Sequence, residues 1–404
     1  MSTISESEKQ QALQRAREHI FSTALPDAAA DLCLANMTFG LAKIHYAQQH
    51  YGLPADATFV GTPDMTITRN SGRWRAGIGY GGRLSWGDGD RDMLVLDVKP
   101  NTCGMLVGGL RDQPDPRALT ERLHHLHRSD LVVDGVPIKW DFGTGNHFID
   151  VFEMAPGVSA PALPPYAFVL HASGAELRGQ SEHGPGLYWD ESPHWQARCE
   201  QLDTPWGPLH VLRGKAIQQY MDVYWQTEDF AIRRRDLAGR SLFGDYEPIA
   251  NINHQGMTNP NEVLLGCQRT DGPQPQLLPI LVRADRPAYL MHGLPNLSPD
   301  QIDRLGFRSA AEKWGVLGRL DGANVIPHGA GYSLPHLSRV RRVMQIDGAR
   351  YYELERVGRQ DTQIISEPKD LTCGYRDEAV VHRSVECGLG VIAAQLDPLF
   401  VLKT

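Results

Sequence analysis

The sequence predicts a single mixed α+β domain, and three observations carry that reading. Helical and strand-like runs both occur along the chain. The residues that could carry chemistry come from its whole length, and no linker separates them. No internal repeat or low-complexity segment is present.

The elements follow in order. Glu6 to Leu25 reads as an amphipathic helix ended by Pro26. Asp31 to Tyr51 reads as a second, with Leu34, Met37, Leu41, Ile44 and His45 at helical spacing. Gly61 to Gly109 is glycine-rich, with short strand-like runs such as Met93 to Val98. A helical pattern returns from Pro116 to Ser129. Val132 to Trp140 and Phe148 to Met154 then read as strands flanking Gly143-Thr-Gly145. The proline-rich stretch Ala155 to Pro165 reads as a surface loop before a strand from Tyr166 to His171. Leu212 to Leu237 is a long helix with Ile217, Tyr220, Met221, Tyr224 and Trp225 on one face. Pro279 to Val282 and Ala288 to His292 are short strands, Asp300 to Leu317 is helical, and Gly390 to Lys403 is a closing strand.

Composition narrows the class. Hydrophobic content of 41% and charged content of 22% suit a soluble enzyme. A net charge of -8 argues against a globally basic nucleic-acid binder, although a local basic channel remains compatible with it. Six cysteines without paired spacing predict reduced thiols rather than a disulfide framework. Met1 to Ala24 is polar with both charge signs, unlike a signal peptide, and no apolar run has the length of a spanning helix. A cytoplasmic protein that does not engage a membrane is the expectation.

Five positions point to chemistry. Cys103 lies in Asn101-Thr-Cys-Gly, His147 in Gly143-Thr-Gly-Asn-His-Phe, and His171 in Val169-Leu-His-Ala-Ser-Gly. His254 lies in Asn251-Ile-Asn-His, and His328 in Pro327-His-Gly-Ala-Gly331. Imidazole nitrogen with thiolate sulfur suits Zn, Mn, Fe or Co. The glycines after His328 permit close backbone approach to a phosphate. Metal ligands beside such a histidine predict chemistry on phosphate esters or anhydrides. Singly, a buried histidine is a core residue more often than a ligand, and Cys103 alone reads as a small core hydrophobe. His183, His292 and His336 are expected at the surface or in packing. Arg233-Arg-Arg235 and Arg339 to Arg342 fit either an RNA backbone track or a solvated helix face.

In order and context these segments resemble the RtcB family of RNA ligases, which join RNA ends using GTP and manganese. The matching pieces are Cys103-Gly-Met, Gly143 to Asp150, Val169 to Gly174, Asn253-His254, Pro327 to Gly331 and Pro398 to Lys403. Tyr289 to Gly293 and Ser366 to Asp370 match more weakly. The resemblance runs from about Pro63 to Thr404, which sets an N-terminal helical segment, 1–60, before a catalytic core, 61–404. It implies stacked β-sheets flanked by helices around a deep central metal and nucleotide pocket. It further implies that Cys103 bridges two manganese ions (zinc substituting on purification), with His147, His171 and His254 as ligands. His328 would attack GTP and hold GMP. Asn146, Asp150 and the Gly329-Ala330-Gly331 turn would contact the nucleotide, and Lys403 would read the guanine. An archease-like activating partner is implied by the same analogy.

The match departs from the family at five places. The aspartate expected three residues before the cysteine is Pro100; the nearest acid is Asp97, which a small loop insertion would have to bring to the metal. The expected glutamate is Asp150. Ala172 to Gly179 replaces an arginine and glycine motif. Cys267 to Gly272 replaces a basic loop, and Arg283 to Pro287 a serine and glycine turn. The expected activity is thus joining of a 3′-phosphate or 2′,3′-cyclic phosphate RNA end to a 5′-hydroxyl. The alternatives are a related enzyme acting on a small phosphorylated metabolite or damaged terminus, and a non-catalytic metal- and nucleotide-binding protein.

Overall fold

The structure is a computed structural model, and it describes residues 5–89, 92–156, 163–272 and 277–403. Most of the loop expected over Ala155 to Pro165 therefore lies outside the described residues. The fold is mixed α+β, dominated by one large sheet of eleven strands. These are β1 (Ile20–Ser22), β2 (Thr58–Thr66), β3 (Tyr80–Ser85), β4 (Cys103–Leu110), β5 (Phe148–Met154), β6 (Tyr166–Ala172), β7 (Glu247–Asn259), β8 (Glu262–Leu265), β9 (Leu277–Ile280), β10 (Ala288–Gly293) and β11 (Gly390–Leu402). Their spatial order is β1-β2-β3-β8-β7-β4-β6-β5-β11-β10-β9. Among the described residues of this sheet, only the β1–β2 ladder is parallel. The centre of this sheet, β7-β4-β6-β5, carries four of the five predicted chemical positions at or beside its strands.

Helix α1 (Glu6–Glu18) starts at Ser5, whose side chain and Glu8 form a reciprocal capping box. It stops seven residues earlier than the periodicity predicts. Ile20 to Ser22 leave the helix to pair with Phe59 to Gly61, and Phe21 buries its ring at 3% exposure. Sheet pairing here overrides helical pattern. Helix α2 (Ala28–His50) begins at Asp27, whose carboxylate accepts from Ala30 N. Helix α3 spans Pro116–Leu126, and α4 spans Lys215–Phe243. The helix expected over Asp300 to Leu317 is broken into Pro299–Arg304, Arg308–Trp314 and Leu317–Leu320. Gly306 (φ 73°) and Gly315 (φ 69°) adopt left-handed conformations that end the first two pieces. Met93 to Val98 is a two-residue strand followed by a 3₁₀ turn, Leu96–Val98.

Two arginine runs also differ from expectation. Arg339 to Arg342 lies in a strand, Leu337–Ile346, paired with Ala349–Arg356. Arg339 bonds Glu355, and Arg341 and Arg342 bond Glu353. In α4, Arg233 is solvated, but Arg234 and Arg235 are fully buried. No described helix is long and apolar enough to cross a membrane.

Helix α2 meets the turn after Ser71–Ala76 through two glycines. A Cβ on Gly40 would sit 2.2 Å from the carbonyl oxygen of Gly77, which itself has φ 89°. Gly40→Ala is expected to lower stability by about 1–3 kcal/mol, as overpacking of a rigid contact does. Thermal denaturation tests this; an unchanged Tm would show that the helix slides freely against the turn.

Candidate functional site

Cys103, the first residue of β4, follows Thr102, a non-glycine residue in the left-handed region at φ 54°. Asn101 Oδ1 accepts from Cys103 N at 3.0 Å and helps hold this unusual entry. His171 is on β6, opposite Met105, so it lies diagonal to Cys103 across the ladder. His254 sits where the β7–β4 register slips between Asn253 and Gln255. Such a bulge re-aims a side chain relative to its strand.

These three elements bring Cys103 Sγ within 2.9 Å of His171 Nε2, and His171 Nε2 within 3.3 Å of His254 Nε2. All three residues are buried, and they form a group able to hold a metal ion. Metal–nitrogen bonds of about 2.0–2.1 Å in a tetrahedron hold two nitrogens roughly 3.3 Å apart, in line with the histidine pair. The sulfur–nitrogen separation is roughly half an ångström shorter than a tetrahedral site requires, a small side-chain adjustment. His147 stands at the rim, with Nε2 3.8 Å from the sulfur. Two of the histidines carry the outer hydrogen bond that fixes a metal-ligand tautomer. His171 Nδ1 donates to the carbonyl of Asn146 at 2.8 Å, and His147 Nδ1 to Asp141 Oδ2 at 2.6 Å.

The electrostatics match a thiolate among imidazoles. Burial opposes ionisation of Cys103, yet the neighbouring His171, His147 and His254 hold its thiol well below the usual range. His147 loses affinity for its proton through burial but regains more from Asp141 and Cys103, and is raised to about 10. Burial and the facing His328 push His254 down to about 3.

The arginines of α4 hold this arrangement together. Arg234 bonds Asp141 and Glu176, and so fixes the partner of His147. Arg235 donates to Asn251 Oδ1, Asn253 Oδ1, Thr102 O and Ala172 O. Three of those acceptors belong to the chain neighbours of His254, Cys103 and His171.

His328 follows the short strand Val325–Pro327, which pairs with Cys267–Arg269. Its ring lies 4.3 Å from that of His254, centroid to centroid. Its Nδ1 donates to Asp64 Oδ2 at 3.0 Å, which leaves Nε2 to the cavity. Asp64 is fully buried and accepts from Thr62 at its other oxygen. It projects from a stretch of β2 that leaves the ladder between Gly61 and Thr66, at Pro63. Arg376 ties this stretch to the histidine turn by donating to Asp64 O, Met65 O and Ala330 O, with Asp27 as its carboxylate partner. A Cβ on Gly331 (φ 66°) would lie 2.3 Å from Asp64 O, so this turn closes only on glycine.

A cavity of about 790 Å³ is lined by Cys103, His147, His171 and His328, and also by Asn146, Asp150, Gly329, Ala330, Gly331 and Lys403. Lys403 is exposed and donates to Gly145 O at 2.8 Å. Asp150 is 7% exposed, with one carboxylate oxygen unpartnered. Asp97 is the residue that the structure does not bring to the metal group. Its 3₁₀ turn directs the carboxylate to His210 N, at 2.8 Å, and Trp189 Nε1, at 3.2 Å, on a different cavity. His183, His292 and His336 are exposed. Sequence reasoning missed Asp64, Asp141, Arg234, Arg235 and Arg376. No protein-family model matches the chain, and no curated protein is significantly similar to it.

Two predictions follow from this geometry. Arg235→Leu is expected to cost roughly 3–5 kcal/mol by orphaning its buried acceptors, and to lower bound metal several-fold. Elemental analysis and chemical denaturation check both; a variant with full metal content and stability would remove Arg235 from this role. Burial raises the Asp150 carboxyl from 3.8 to about 7 despite Lys403. Its contribution to stability is therefore intact below pH ~4, declines as pH rises, and is fully lost above about 7. Asp150→Asn should match the parent at low pH and exceed it above neutrality, by roughly 4 kcal/mol at most. A stability gap that is flat with pH would contradict this.

Proposed function

We propose that this protein is a metal-dependent nucleotidyl-transferring enzyme of the RtcB type. One observation carries the reading: the imidazole of His328, fixed through Nδ1 by Asp64, shares a cavity with the Cys103, His147 and His171 side chains. An imidazole nitrogen is nucleophilic at neutral pH, and a carboxylate behind it holds the tautomer with Nε2 free. Nε2 would form a bond to the α-phosphorus of GTP as the bond to the pyrophosphate oxygen breaks. Pyrophosphate leaves, and GMP remains on His328 as a phosphoramidate. GMP then passes to the terminal phosphate of the substrate, and a hydroxyl of the second end displaces it.

Cys103, His171 and His254, with His147 at the rim, would hold manganese or zinc, which when bound would neutralise charge developing on the phosphates. Asp64 keeps His328 in register, and the Gly329 to Gly331 turn allows close backbone approach. Asn146 and Asp150 are available to the nucleotide phosphates and sugar, and Lys403 to its base.

A second reading concerns the acceptor. The arginines of the two runs are buried around the metal group or bonded to carboxylates. That observation, with the net charge of -8, favours a small phosphorylated substrate or a damaged terminus over long RNA.

The test is incubation with GTP labelled at the α-phosphate and manganese. Acid-labile, alkali-stable label is expected on the peptide containing His328. His328→Ala should abolish it with metal content near normal, while Cys103→Ala should lose most of the metal. Full turnover by His328→Ala would rule out the covalent route. If label forms, competition by RNA ends against small phosphates decides the acceptor.

A further inference from the structure

Two cations buried among the described residues, Lys43 and Arg350, have no carboxylate in contact. Lys43, on α2, is 1% exposed, and Arg350, on the strand Ala349–Arg356, is 8% exposed. Lys43 Nζ donates to the carbonyls of Arg75 and Pro208, each at 3.2 Å. Arg350 Nη2 donates to the carbonyls of Trp74, at 3.1 Å, and Arg75, at 2.5 Å. Arg350 Nη1 is buried with no partner. The two cationic heads thus converge on one carbonyl, that of Arg75. Among the described residues neither forms an ion pair with a carboxylate.

Both line a second cavity, of about 500 Å³, separate from the one that holds His328. Its three carboxylates are matched to other donors. Asp97 accepts from His210 and Trp189, Asp190 pairs with Lys99, and Glu367 accepts from Arg75, Ser71 and Lys369. Lys43 and Arg350 are the lining cations that no carboxylate contacts, with Asp97 acting on Lys43 only at a distance. Burying two like charges together without an anion is unfavourable, since each loses its hydration and repels the other. Burial and the nearby Arg350, opposed in part by Asp97, depress the Lys43 ammonium to about 7.

We infer that this second cavity binds a small organic phosphate, with the phosphate group seated against Lys43 and Arg350. A doubly charged oxyanion answers two adjacent cations, where a carboxylate answers one. The volume lies within the roughly 300–1,000 Å³ of small-molecule sites and exceeds the needs of a bare phosphate ion. The remaining wall suits a flat ring: Trp189 stacks on His210 with centroids 3.7 Å apart, and Trp206 also lines the cavity. This site shares no residue with the proposed nucleotidyl-transfer centre.

The test is calorimetric titration of the whole protein with inorganic phosphate, phenyl phosphate and acetate at matched ionic strength, alongside thermal shifts. Saturable binding is expected for both phosphates, tighter for phenyl phosphate, with acetate inert. Lys43→Met and Arg350→Met should each weaken phenyl phosphate at least tenfold. Lys43→Met should also match or exceed the Tm of the parent in phosphate-free buffer, because it removes a buried charge that no carboxylate contacts. His328→Ala should bind phenyl phosphate as the parent does, which separates this site from the first cavity. The inference is overturned if the unmodified protein shows no saturable binding, a result that does not depend on how any variant folds. It is equally overturned if His328→Ala abolishes binding while Lys43→Met leaves it unchanged. Inorganic phosphate binding as tightly as phenyl phosphate would refute the organic body of the ligand.

Discussion

The guanidinium of Arg235 is the constraint on which the metal group rests. Cys103, His171 and His254 come from three strands, and nothing in a β-ladder alone fixes three side chains to within a few tenths of an ångström. Arg235 bonds the peptide carbonyls of Thr102 and Ala172 and the side chain of Asn253. Each is adjacent in sequence to one of the three donors. A planar fork of donors sets distance and angle together, which a lysine ammonium does not. The neighbouring Arg234 extends the same logic to His147 through Asp141. A positive charge beneath a thiolate also favours the ionised sulfur that a metal requires.

The donors themselves were legible in the sequence because each is a metal-ligating residue type beside a strand-like run or a glycine turn. Their supports were harder to read. Arg234 and Arg235 looked like part of a solvated basic run, because charge usually marks the outside of a helix. The periodicity said otherwise: Tyr220, Tyr224, Phe230, Ala231 and Ala238 define the buried stripe of α4, and positions 234 and 235 fall on it. Asp64 left a fainter signal. Pro63 breaks the β2 ladder just before it, but its partner His328 lies 264 residues away, and no local pattern reports so distant a contact.

Elements misread in the sequence are decided by pairing and backbone conformation. The end of α1 is decided by pairing with β2, the broken helix over Pro299–Leu320 by left-handed glycines, and the strand at Leu337–Ile346 by a tight hairpin through Asp347 and Gly348, both at positive φ. Asp97 shows the same limit at the level of a single residue. Its distance from Cys103 in sequence suggested a nearby ligand. Lys99 then turns the backbone through φ 45°, and the carboxylate serves His210 and Trp189 instead.

The cradle of His328 has a consequence for how the chain is made. Asp27 and Arg376, which close it, are 349 residues apart, and Asp64 and His328 are nearly as distant. Loop closure over such spans is entropically slow, and ribosomes deliver chains at about 5–20 residues per second. The ligand-bearing strands from Cys103 to His254 leave the ribosome well before Arg376 does. A nascent chain therefore carries Cys103 and its three histidines for some seconds before the His328 turn can lock. During that interval the cysteine and histidines lack the turn that faces them in the finished fold, so the order of synthesis, as well as the final geometry, bears on what these side chains meet.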